Sequence, residues 1–112
     1  PTLKRIRALV SVYPTVSFPY NGVQLVKDAV VQFVGGVDSF GQEHSGSPPG
    51  QTLFHSQAIQ RIREHVPSVN DIELLWNYED QDLVEDSIVV EHLWKPFCTP
   101  EDITVVLKRL PG

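Results

Sequence analysis

Residues 99–110, TPEDITVVLKRL, can be read as either of two elements, and the fold turns on the choice. Thr99, Pro100 and Asp102 imitate a helix start, and Ile103, Val106, Leu107 and Leu110 recur at helical spacing. Against this, Ile103-Thr104-Val105-Val106 is a β-branched run that suits a pleated surface better than a helix. The run tips the balance to a strand, and the helix stays open.

The elements before it are easier to place. From Leu3 to Tyr13, Ile6, Ala8, Val10 and Val12 alternate with Arg5, Arg7, Leu9 and Ser11, the period of a strand with one buried face, and Pro14 ends it. Asn21 can cap a helix in which Val23, Val26, Ala29, Val30, Phe33 and Val34 form a stripe, with Gly35-Gly36 as its exit. Thr52 looks like the cap of a second helix bearing Ala58, Ile59, Ile62 and Val66, stopped by Pro67. Ile72, Leu74 and Trp76, then Ile88, Val90 and Trp94, alternate with polar residues and predict two strands joined by an acidic hairpin loop, Glu79 to Asp86. The order is β-α-α-β-β-(β), an α+β fold with two helices packed on one face of a small, mostly antiparallel sheet.

A chain of 112 residues is one domain's worth, and 41% hydrophobic with 21% charged residues is an ordinary globular composition. Pro1 in first place and the lack of any Met suggest a single domain, 1–112, excised from a longer chain. The apolar runs are short and no leader pattern opens the chain, so neither a membrane span nor secretion is expected. Eight acids between positions 71 and 94, with no Lys or Arg among them, and a net charge of -5 argue against nucleic acid as partner.

The stretch FGQEHSGSPPGQT, residues 40–52, belongs to a long Gly/Ser/Pro loop at 38–51. It lacks the lysine and the preceding strand of a phosphate-binding P-loop. Slack between two helices is the plain reading, and a partner contact is the second. His44, His55, His65 and His92 are scattered, and His92 with Cys98 is the nearest approach to zinc-ligand spacing, so no metal is expected. NYEDQDLVEDS, residues 77–87, lacks the glycine and final glutamate of a calcium loop. Pro1 with Lys4, Arg5 and Arg7 would suit a tautomerase with an N-terminal proline base, but no partner groups accompany it. No catalytic residue or cofactor follows from these patterns, and the expectation is a protein without enzymatic activity.

The aromatic residues carry the remaining signal. Trp76, Tyr78 and Trp94 lie in or beside the paired strands, and alternation sends Leu75, Val89 and Leu93 to the face opposite the helices. A sheet apolar on both faces needs a second cover, so Trp76, Tyr78, Val89, Val90, Leu93 and Trp94 are the candidate interface to copies of the chain or neighbouring subunits.

The order of RIRALVSVYP, then NGVQLVKDAVVQFV, a glycine-containing connection and GQTLFHSQAIQRIREHVPSVNDIEL resembles the C-terminal domain of phage baseplate wedge proteins of the J-like family. Gly50, Leu53 and Ser56 match the family's second-helix start, and Val66, Val69, Ile72 and Leu74 match its following turn and strand. The resemblance covers about residues 4–94, while the loop at 38–51 and the tail at 95–112 depart from it. It implies an assembly role in the wedge ring of a contractile tail or related injection machine, and with it the virion or the cytoplasm as the expected location. A ubiquitin-like or other small α+β domain recruiting a signalling partner is the alternative.

Overall fold

Residues 2–109 are described by a computed structural model. Pro1, the residue on which a tautomerase reading depends, and Leu110 lie outside the described residues. The chain runs β1 (Thr2–Pro14), α1 (Gly22–Val34), β2 (Gly36–Val37), β3 (Glu43–His44), α2 (His55–His65), β4 (Val69–Tyr78), β5 (Trp94–Phe97), a 3-10 turn (Pro100–Asp102) and β6 (Ile103–Leu107). This is an α+β fold with two helices against a four-stranded sheet, and a second sheet of two short strands. No helix is long and apolar enough to cross a membrane.

β1 is the centre of the sheet because its alternation gives the core one continuous apolar row. Ile6, Ala8, Val10 and Val12 are all buried. In register with them stand Trp76, Leu74 and Ile72 of β4 on one side, and Ile103 and Val105 of β6 on the other. Val26, Ala29, Val30 and Val34 of α1, with Ala58 and Ile62 of α2, close the same core. Each large side chain buried in this way contributes about 1.5–3 kcal/mol relative to exposure.

The sheet is mixed, which corrects the expectation of mostly antiparallel pairing. β4 runs antiparallel to β1, whereas β5 and β6 both run parallel to it. The physical reason lies in the acidic stretch. β4 ends with Tyr78 beside Ile6, and β5 begins with Trp94 beside Thr2, so residues 79–93 carry the chain across one end of the sheet. Strands joined that way enter on the far side of β1 and point along it. The first part of the stretch does turn back on β4, with Val84 bridged antiparallel to Trp76, but the remainder is a strap that leads to β5 instead of a directly paired second strand.

The predicted strand from Ile88 to Trp94 is corrected with it. Ile88 and Val90 point inward and Val89 outward, as alternation requires, but the segment pairs with no neighbouring strand beyond an isolated bridge from Ile88 to Leu53. Regular pairing begins only at Trp94.

The strand reading of residues 99–110 holds for Ile103–Leu107, and the helical reading does not: the helix-start residues, Thr99 to Asp102, close only a single 3-10 turn. β5 and β6 lie end to end beside β1, pairing with its residues 2–5 and 8–12. At the break, the Arg5 guanidinium meets the Asp102 carboxylate at 2.8 Å, which pins the turn to the central strand.

The second helix starts later than Thr52. Leu53 is fully buried and exchanges two backbone hydrogen bonds with Ile88, so residues 52–54 are extended. The helix has Phe54 at its cap position, and the backbone N–H of His55 donates to the Ser87 hydroxyl at 3.0 Å. The strap thus supplies an acceptor that Thr52 was expected to provide.

The far face of the sheet carries no helix. Across it run Leu75, Leu9 and Thr104 in one row and Glu73, Ser11 and Val106 in the next. Leu9 and Leu75 are already half-buried, and the Tyr13 hydroxyl donates to Glu73 at 3.1 Å beside them. The second apolar face is a narrow stripe within a polar frame, and Val89 and Leu93 lie on the strap rather than on it.

The 38–51 connection holds more order than slack implies. Asp38 and Asp28 are both buried. Asp38 accepts from the backbone N–H groups of Phe40 and Gln42, each at 2.9 Å, and from His44 Nε2 at 2.7 Å. Asp28, reaching from α1, accepts from the Ser39 backbone N–H at 3.1 Å and its hydroxyl at 2.7 Å. Two carboxylates close the β2–β3 ribbon and tie it to the helix, satisfying their own burial in doing so.

Candidate interaction surface

The end of the sheet crossed by the strap collects aromatic, apolar and charged side chains from elements far apart in sequence. The Tyr78 and Trp94 rings meet edge to face with centroids 5.4 Å apart and planes at 85°. Lys4 Nζ lies 4.2 Å from the centre of the Trp94 ring, a cation–π arrangement. The Tyr78 hydroxyl donates to the Val89 carbonyl at 2.7 Å, fastening the strap to the end of β4. Burial first, and then the nearby Glu91 carboxylate, push the Tyr78 phenol above its ordinary value, so it keeps that donor proton.

The strap is held at several further points. Trp76 and Val84 exchange backbone hydrogen bonds at 3.0 and 3.1 Å. The Trp76 indole N–H donates to the Asp86 carbonyl at 2.6 Å, and the Asn77 side-chain amide donates to the Asp82 carbonyl at 2.8 Å. The Thr2 N–H donates to the Leu93 carbonyl at 2.8 Å. On this fixed segment Val89 is 74% exposed and Leu93 64% exposed. Fixed, water-facing aliphatic side chains next to an aromatic pair lose little freedom on being covered.

Of the six expected interface residues the structure keeps four at the surface. Tyr78 and Trp94 are half-buried, and Val89 and Leu93 are exposed. Trp76 and Val90 are corrected: at 0% and 5% exposure they belong to the core and offer nothing to a partner. Trp76 instead packs within the domain, its ring 6.1 Å from Phe33 and 6.2 Å from His55. Lys4 joins the surface although the sequence reading set it aside. Its place over Trp94 depends on the parallel β1–β5 register, for which no local pattern exists.

The basic residues weighed for carboxylate binding are not one cluster. Arg5 is engaged by Asp102 and, at 3.7 Å, by Glu79, while its guanidinium lies 4.8 Å from the centre of the Phe97 ring. The histidines lie apart from one another. His55 Nε2 donates to the Leu74 carbonyl at 2.7 Å, His65 lies between Arg61 and Gln32, and His92 is exposed. Burial pushes the Cys98 thiol up to about 12, as for an inert core side chain. Among the described residues, no three His, Cys, Asp or Glu side chains come together in a group that could hold a metal ion. Compared with known proteins, the chain matches no family model and no curated sequence.

Proposed function

We propose that this domain is a non-enzymatic assembly module that docks on copies of itself or on neighbouring protein subunits through the strap end of its sheet. The observation that carries the reading is the exposure of Val89 and Leu93 on a strap pinned beside the Tyr78–Trp94 pair. Glu79, Asp80, Asp82, Glu85, Asp86 and Glu91 are all exposed along the same strap, so a fitting partner presents an apolar hollow with basic groups at its rim. The resemblance to baseplate J-like wedge proteins supplies the setting: a virion, in the wedge ring of a contractile tail or related injection machine.

The test is the mass of the domain in solution across a concentration series, by light scattering or sedimentation, for the natural sequence and for Leu93→Asp. The expected result is a defined dimer or ring that Leu93→Asp returns to monomer. A strict monomer at every concentration would rule out self-association.

That second outcome would favour recruitment of a signalling partner instead. The free outer side of β6 supports this reading, since among the described residues β6 pairs only with β1. An extended peptide could add there as a further strand.

A further inference from the structure

A cleft of about 380 Å³ lies on another part of the surface, where the segment after β3 passes the last turn of α1 and the side of α2. Phe33, His44, Ser45, Gly46, Ser47 and Arg61 line it, and none of its lining residues is acidic. Arg61 lies 6.0 Å from the centre of the Phe33 ring and forms no ion pair among the described residues. The backbone N–H groups of Ser45, Gly46 and Ser47 also have no acceptor among the described residues. Consecutive unpaired amides beside a guanidinium are a recurring solution to oxyanion binding.

The backbone here is shaped in a way that only glycine permits. Gly46 has a φ of 57°, and a Cβ at this position would stand 2.3 Å from the Gly35 nitrogen and 2.4 Å from the Val34 carbonyl. The segment is thereby drawn against the end of α1. A helix C-terminus is the wrong end for an anion, because its carbonyls carry partial negative charge. In this case the last two are already engaged: the Phe33 carbonyl accepts from the Ser47 hydroxyl at 3.3 Å, and the Val34 carbonyl from Lys95 Nζ at 3.4 Å. His44 is oriented by Asp38, leaving its Nδ1 without a partner among the described residues.

We propose that this cleft binds a small organic phosphate, its phosphoryl oxygens held by Arg61 and the 45–47 amides and its organic part resting on Phe33. The volume exceeds what a bare phosphate needs and falls in the range of small-ligand sites. This inference is independent of the assembly reading, since no residue of the strap lines the cleft.

Phenyl phosphate and inorganic phosphate, titrated into the 15N-labelled domain at constant ionic strength, are the probes. Phenyl phosphate is expected to give saturable shifts at the amides of Ser45, Gly46 and Ser47 with a Kd of about 1 mM or tighter, and inorganic phosphate a weaker effect at the same amides. Arg61→Gln should weaken phenyl phosphate binding about ten-fold while leaving the remaining spectrum in place, and Arg61→Lys should fall between. Absence of saturable shifts in the natural sequence, or equal affinity in Arg61→Gln, would overturn the proposal.

Discussion

A methyl group at position 36 would sit 1.8 Å from the carbonyl oxygen of Cys98, in a backbone held at a φ of 138°. Gly36 is the point at which the chain leaving α1 passes directly against Cys98, the residue after β5, and the Cys98 N–H donates to the Gly35 carbonyl at 2.8 Å. Gly36→Ala must either move one of the two backbones or break their pairing. It should lower stability by about 2–4 kcal/mol, read as a shifted urea midpoint with unchanged slope. The Gly35-Gly36 pair was legible as a helix exit because local composition announces one. Its second task was not, because the approaching carbonyl belongs to a residue with no sequence relation to it.

At the scale of elements, the β2–β3 ribbon is closed by a carboxylate and so responds to acid. The hydrogen bond from His44, followed by those from the Gln42 and Phe40 amides, holds the Asp38 carboxyl below its ordinary value, with burial opposing. A carboxylate whose folded pKa is depressed contributes stability above its unfolded value of about 3.9, and that contribution is lost as pH falls through the lower folded value. The amide resonances of Phe40 and Gln42 should therefore move together below about pH 3.9, as acid removes the acceptor they share. Resonances from β1 should hold their positions over the same first step. If instead all signals collapse in one transition, the ribbon has no separate equilibrium. The ribbon escaped the sequence reading because its strands are two residues each, too short for alternation to register. Asp28 lies on a helix where an acidic residue reads as the wet side.

At the scale of the whole molecule, Cys98 reports on global opening. Its thiol is buried, sits in the main core and is raised to about 12, so neither access nor thiolate is available in the native state. Labelling by a disulfide reagent at pH 8 should be negligible under native conditions and should rise with urea in step with unfolding measured by Trp fluorescence. Labelling well below the unfolding midpoint would show that the β5–β6 edge opens by itself. The two tryptophans suit the comparison, since Trp76 is enclosed in the core and Trp94 stands at its margin.

The amino-acid sequence alone determined the elements whose signals are local. The alternation of β1 and β4 and the stripes of α1 and α2 follow from side-chain periodicity, and with them the α+β class. It also singled out Tyr78, Val89, Leu93 and Trp94 as surface candidates, and the structure leaves Val89 and Leu93 exposed and Tyr78 and Trp94 half-buried. Only the tertiary structure decided that the sheet is mixed, that residues 79–93 form a strap, and that Trp76 and Val90 face inward. Those outcomes depend on which strand lies beside β1 and in which direction, and pairing of that kind is settled by the packing of distant segments rather than by the pattern within any one of them.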